Sequence, residues 1–316
     1  MLKILYKNWI IFLISLSFAS LNLTGNSPLF SSIPLSAQNL ARAGTITMSD
    51  NSSLLIFSNP VVKKTSQKLV GFNFNSYFSK EYSSSLFIFP QKYYKNWNYN
   101  IGLIHISIPN IPNTQNLFEN DIPQYDQISY FNQINFGLLF NISQQIIDNY
   151  YLGINFIPHY SSLLDQKSYG LFYNIGLFYS GFKNLDYGLI LNTAPGSFTY
   201  WEKKSIELFP FTLTNCLIYK IGKVNLFSNI NYVMKQKDII DYSIGLDLFV
   251  VKNLKIILGH GSNLKYSTGF LFNIQGVEIQ YGLGYQKLET FNMFHHGFDL
   301  VFNLNMVNKW KEFLKP

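Results

Sequence analysis

From residue 68 to residue 306 apolar and polar positions alternate with a period of two. In Val277–Gln286 the odd positions are Val, Ile, Tyr, Leu and Tyr, and the even ones are Glu, Gln, Gly, Gly and Gln. Successive side chains of a β-strand point to opposite faces, so such a run has one apolar and one polar face. Leu171, Tyr173, Ile175, Leu177 and Tyr179 alternate with Asn174, Gly176 and Ser180 in the same way. So do Ile134, Phe136, Leu138, Phe140 and Ile142 with Asn135, Gly137 and Asn141, and Phe298, Leu300, Phe302, Leu304 and Met306 with Asp299, Asn303 and Asn305. The pattern predicts strands at 68–77, 82–93, 98–108, 128–142, 149–160, 169–180, 186–194, 209–221, 224–234, 240–250, 254–261, 266–275, 277–288 and 294–306.

The polar faces decide between a barrel and a sandwich. A sandwich turns its polar face to bulk water and carries Lys, Glu and Arg there. Here that face is mostly Asn, Gln, Ser and Gly, which suits a narrow lumen, while the aromatic and aliphatic face suits lipid. Linker lengths point the same way. The longest linkers, 109–127, 161–168 and 195–208, fall in one alternate set, and the other set holds short turns such as 222–223 and Gln275-Gly276. Long outer loops and short periplasmic turns are the rule for outer-membrane barrels. The expected fold class is therefore all-β, a transmembrane antiparallel β-barrel of about 14 strands.

Composition narrows the function classes. Apolar residues make up 47% of the chain and aromatic residues 17%, yet charged residues only 13%. A soluble domain carries roughly 25% charged residues. The net charge of +7 comes from lysines scattered in turns and tails, such as Lys63, Lys64, Lys203 and Lys204. Nucleic-acid binding needs cations gathered on one face, so no nucleic-acid partner is expected. At the N-terminus Lys3 and Lys7 precede an apolar run over Trp9–Phe18 and then Ala19 and Ser20. This is the pattern of an export signal, placed at 1–19.

Between signal and barrel lies a segment, 20–66, that is weakly periodic and rich in small residues. It is either an exposed leader or a plug-like segment packed inside the barrel, and its small and apolar content favours packing. Its order of Pro34, Ser36-Ala37, Gly44, Asp50 and Asn59-Pro60 resembles the N-terminal region of PorV/PorQ-type outer-membrane barrels, relatives of the FadL hydrocarbon transporters. In that family the pattern runs roughly Ser-Ala-Arg, Gly-Gly-Ala, Asp-Asp, Asn-Pro-Ala. Here Gln38 replaces the arginine, Ala43 the first glycine and Val61 the last alanine. The resemblance implies a 14-stranded barrel of the bacterial outer membrane with a non-catalytic role in type IX protein secretion or surface attachment. Its partners would be outer-membrane lipid and secretion-system or exported proteins. The alternative is a FadL-like channel for hydrophobic small molecules. The modest length of the outer linkers tilts the reading to the partner role. Residues 67–306 form the barrel, and 307–316 a periplasmic tail whose Trp310, Phe313 and Leu314 suit a membrane interface.

No constellation points to catalysis, a cofactor or a metal. His295 and His296 are neighbours on one strand and face opposite sides. Asp299 shares a face with His295 at roughly 13 Å. Cys216 is the only cysteine, so no disulfide forms within the chain. The candidate lumen-facing polar residues are Asp247, Glu278, Gln280 and Asp299, where an ionised group needs water or a partner. Bulky residues also fall on the lumenal face: Phe131, Leu139, Phe172, Phe178, Phe227 and Phe249. They favour a closed barrel packed against its N-terminal segment over an open porin.

Overall fold

A computed structural model describes residues 34–47, 53–63, 67–77, 82–94, 96–113, 118–119, 122–123, 128–202, 205–234, 239–287 and 292–306. The signal at 1–19, the tail at 307–316 and Asp50 lie outside them. The barrel has fourteen antiparallel strands: β1 Leu69–Tyr77, β2 Tyr82–Ile88, β3 Trp97–Asn113, β4 Ser129–Ile147, β5 Tyr150–Leu163, β6 Gln166–Tyr179, β7 Leu185–Asn192, β8 Thr212–Ile221, β9 Val224–Val233, β10 Ile239–Val251, β11 Leu254–Gly261, β12 Tyr266–Ile274, β13 Val277–Lys287 and β14 Asn292–Asn303. Closure is made by β1 against β14, from Leu69 opposite Asn303 to Ser76 opposite His296. Closing the sheet removes both edges, so each strand finds a ladder partner on either side.

Alternation sets the two faces throughout. On β1, Phe72 and Phe74 point out and are 42% and 47% exposed, whereas Asn73 and Asn75 between them are fully buried. On β13, Gln280 is buried and Gly282 faces the segment inside the barrel, while Tyr281 and Leu283 face out. The outer surface is a continuous band of Phe, Tyr, Leu and Ile.

Several boundaries differ from the expectation, three of them at the rims. β14 ends at Asn303, and Leu304–Met306 form a single 3-10 turn, because Asn303 N bonds Gly276 O and Leu304 N bonds Lys68 O at the barrel rim. The supposed linker 161–168 shrinks to Leu164-Asp165, since β5 and β6 pair as far as Leu163 opposite Gln166. The supposed linker 195–208 carries strand pieces at Phe198–Trp201 and Ser205–Leu208, which extend β7 and β8 beyond an interruption. Asymmetry between the ends survives in the single long linker that follows β3 and in the tight turns Asp148-Asn149, Gly222-Lys223 and Gln275-Gly276 at the other end.

Among the described residues inside the barrel are a short helix, α1 (Ala37–Ala41), and a 3-10 turn at Ser53–Ile56. Weak periodicity in the sequence gave no sign of α1. It forms because Ser36 caps it, its hydroxyl accepting from Asn39 N at 3.1 Å. It stops because Ala43 and Gly44 turn to φ +55° and +85°, and Gly44 N closes back on Asn39 O at 2.8 Å.

Candidate functional site in the barrel lumen

α1 approaches the inner wall so closely that the wall has no side chains where it lies. A methyl group on Gly282 would collide with Ala37 O, and one on Gly269 would lie 2.6 Å from Ala41 Cβ. Gly245 and Gly259 stand in the same way against Thr45, Arg42 and Ala43. These glycines occupy lumenal positions of β10 to β13, so the alternating pattern leaves a groove of helix width.

Charge holds the helix in that groove. Asp299 on β14 accepts from Ala37 N at 2.9 Å and from Asn73 Nδ2 at 2.5 Å. Arg42 grips Asp247 of β10 with two bonds, Nε to Oδ1 at 2.8 Å and Nη2 to Oδ2 at 2.5 Å. Lys255 of β11 reaches the same carboxylate at 3.0 Å, and the Arg42 guanidinium carbon lies 4.2 Å from the centre of the Phe227 ring. Arg42 and Asp247 are wholly buried. A planar guanidinium makes this two-pronged grip and a lysine cannot.

The second part of the segment is held by neutral groups. Asn155 Nδ2 donates to Ile56 O at 2.9 Å, Asn141 Nδ2 to Pro60 O at 2.7 Å, and Asn98 Nδ2 to Val62 O at 2.9 Å. An irregular backbone inside a barrel needs partners for its carbonyls, and the asparagines of β3 to β5 provide them. At the short-turn end Lys63 Nζ donates to Ser180 Oγ at 2.9 Å; Ser180 Oγ donates to Asp186 at 2.7 Å, and Lys220 reaches Asp186 at 2.6 Å. Burial holds Lys63 below the usual lysine range, with Asp186 opposing that shift and Lys220 adding to it.

Next to the amides, toward the long-loop end, the lumen turns apolar. Leu86, Ile104, Ile106, Leu139, Ile157, Phe172 and Phe209 form one buried cluster with Leu35, Leu54, Ile56 and Phe57 of the N-terminal segment. Stacked Tyr77 and Tyr82, 4.7 Å apart, bound it on one side. On the other side His159 stacks on Phe172 at 4.0 Å, and Phe172 meets Phe209 edge-on at 5.0 Å.

Beside that second aromatic group the wall loses its ladder. Pairing of β4 with β5 skips Leu138 and Leu139, opposite Ile157 and Pro158. Proline has no N–H to give. Pairing of β6 with β7 stops at Ile175 opposite Leu191 and resumes at Leu171 opposite Phe198, so residues 192–197 stand against 172–174. On the next seam 193–197 stand against 209–211. Local bonds hold the displaced backbone: Ala194 N to Tyr173 O at 2.8 Å, Thr193 N to Asn174 Oδ1 at 2.9 Å, and Thr193 Oγ1 to Pro210 O at 2.7 Å. Thr193 and Gly196 take φ of +46° and +97° to make the detour. The lumenal face of this seam is Leu139, Ile157, Phe172 and Phe209, each at most 7% exposed.

The residues singled out in the sequence fall as follows. Ser36, Ala37 and Gly44 shape and seat α1. Pro34 O accepts from Tyr77 OH and, at 3.4 Å, from Asn75 Nδ2. Asn59 donates to Thr47 O at 3.0 Å and accepts from Val61 N at 2.9 Å, the second closing a local turn around Pro60. Asp247 and Asp299 both face the segment. Gln280 is buried and donates to Glu278, which is partly exposed. His295 is buried and bonds Gln286 at 3.1 Å, whereas His296 is on the outer face with Tyr281 at 2.8 Å. Of the bulky lumenal residues Leu139, Phe172, Phe178 and Phe227 are buried. Phe131 is only partly buried, and Phe249 is 39% exposed because it sits next to the turn that ends β10. Among the described residues no three His, Cys, Asp or Glu side chains group as metal ligands. The polar lumen expected from the faces is therefore only part of the interior.

The residue that sequence reasoning missed is Arg42. A signal was present: it is the chain's only arginine among 24 basic residues. A chain that otherwise uses lysine throughout keeps arginine where a two-pronged contact is made.

No protein-family model and no curated protein matches the chain. Solved structures do. The Pseudomonas putida toluene transporter TodX superposes with a TM-score of 0.68 at 12% identity, over 85% of this chain and 98% of that one. The Ralstonia pickettii toluene transporter TbuX gives 0.61 at 11% identity over 87% and 98%, and a Pseudomonas aeruginosa FadL homologue 0.60 at 8% over 86% and 99%. At these identities the likeness is one of fold: a FadL-like closed barrel of fourteen strands spanning nearly the whole length of those channels.

Proposed function

We propose that the chain is an outer-membrane channel for small hydrophobic compounds, which pass between the lipid and the lumen through the wall formed by β4 to β8. The observation that carries this reading is the meeting of the two features above: the interrupted ladder lies directly over the apolar cluster of Leu139, Ile157, Phe172 and Phe209. A polar solute gains nothing from such a surface. An apolar one gains roughly 25 cal/mol per Å² that it removes from water. An outer face of exposed aromatic and aliphatic residues, such as Phe72, Phe74, Leu138, Phe156 and Leu177, suits a lipid surrounding. The fold shared with toluene transporters supports the same reading.

The role of a PorV/PorQ-type partner in secretion or surface attachment takes second place. It drew on the motif segment and on the length of the outer linkers, and the motif residues have local structural work in seating the segment.

The test is photolabelling of the full protein in lipid nanodiscs with an aryl diazirine, a reactive mimic of a monoaromatic hydrocarbon. Adducts are expected on the lumenal residues Leu139, Ile157, Phe172 and Phe209. Adducts confined to outward residues of the same strands, such as Leu138 and Phe156, would mean that the compound meets only the outside of the barrel.

A further inference from the structure

We infer that Pro60–Lys63 is the exit gate at the short-turn end of the barrel, and that it moves while residues 34–47 stay fixed. The inference rests on the channel reading and specifies how that channel is closed.

The two parts of the segment differ in what their release would leave behind. Withdrawing 34–47 separates Arg42 from Asp247 and strips Asp299 of the Ala37 N–H, stranding fully buried charges. Withdrawing 60–63 breaks neutral bonds, from Asn141 to Pro60 O and from Asn98 and Ser143 to Val62 O, close to the mouth where water replaces them, while the bond from Val61 N to Asn59 Oδ1 is local and can travel with the turn. Lys63, the last residue of this stretch, donates to the Ser180 hydroxyl and lies 5.3 Å from the centre of the Tyr151 ring. Its burial is only partly offset, since Lys220 already occupies Asp186 and the two lysines share that one carboxylate. Lys63 is therefore a closure that holds the stretch in place at little gain.

The stretch also rests on bare backbone. A Cβ on Gly153 would collide with Pro60 O and lie 2.8 Å from Val61 N, and one on Gly176 would lie 2.9 Å from Pro60 Cγ and 3.0 Å from Val61 Cγ2. Behind it is a second apolar cluster in which Val61 packs with Phe178, Ile190, Cys216, Ile218 and Phe227. Cys216 is fully buried in that cluster and is the only thiol in the chain, so it reports natively on the position of Val61.

The experiment is the rate at which a charged methanethiosulfonate reagent modifies Cys216 in the full-length protein in nanodiscs, read by peptide mass. Gly153→Ala should raise the rate roughly tenfold by wedging Pro60 off the wall and increasing the open population. A disulfide between Val61→Cys and Gly176→Cys should lower it by a similar factor, and reduction should restore it. A disulfide between Ala37→Cys and Gly297→Cys, whose Cβ atoms would lie 3.3 Å apart, should leave it unchanged. The inference fails if the first disulfide gives no protection, or if the second protects as well as the first. It also fails if folded Gly153→Ala labels no faster than the native chain. No hydrophobic ligand is used, so these outcomes are independent of where the diazirine labels.

Discussion

Replacing Asp247 by Asn is expected to destabilise the barrel by about 3–5 kcal/mol, the cost of leaving buried charges without their counter-ion. The change is nearly isosteric, so packing is preserved and charge is the variable. Arg42 and Lys255 both converge on this carboxylate, and all three side chains are at most 5% exposed. Removing one negative charge leaves two cations facing each other across α1 and the wall. The converse substitution is informative too: Arg42→Met, Asp247→Leu and Lys255→Met together remove these three charges and should recover most of the loss, as apolar replacements of buried ion clusters do. The measurement is the urea midpoint of the heat-modifiable barrel band. A fall for Asp247→Asn no larger than that of a surface substitution would show that water, not the carboxylate, balances Arg42.

Deleting residues 33–58 is expected to turn a nearly silent barrel into a conducting one in planar bilayers. The deletion removes α1 and the 3-10 turn, which together fill the groove of glycines on β10 to β13 and cover the apolar cluster of β2 to β6. Fourteen strands enclose enough space for an aqueous lumen once that filling is gone. The newly wet apolar surface also costs roughly 25 cal/mol per Å², so the deleted barrel should melt earlier as well. Large, steady conductance from the intact chain, unchanged by the deletion, would show that the segment does not close the lumen.

Much of the barrel was legible because its physics is local. Alternation identifies a strand from a handful of residues, and eleven of the strands lie within three residues of where the pattern puts them. The exceptions are β2, which ends at Ile88, and β3 and β4, which run on to Asn113 and Ile147 because their last residues pair with the next strand beyond a bulge, long-range contacts that alternation does not encode. The lumen was less legible. Gly245, Gly259, Gly269 and Gly282 read as ordinary polar-face positions, and only the approach of α1 shows why each lacks a side chain. Asp247 and Asp299 stood out as charges on a face that needs partners, but their partners lie 205 and 262 residues away in sequence, on Arg42 and Ala37. The seam at 193–197 was hidden for a similar reason. Its Ala-Pro-Gly run reads as an outer loop, and pairing of Phe198–Trp201 with β6 makes it a detour within a strand.

Uptake of a small hydrophobic compound is the direct test of the proposed passage through the wall. Cells lacking their own hydrocarbon channels, with and without the chain, are given radiolabelled toluene below its saturating concentration. The account predicts faster initial uptake with the native chain, and loss of that gain when Phe172→Lys places a charge on the lumenal face of the seam. Uptake equal to that of cells without the chain, despite a folded barrel in the outer membrane, would contradict it.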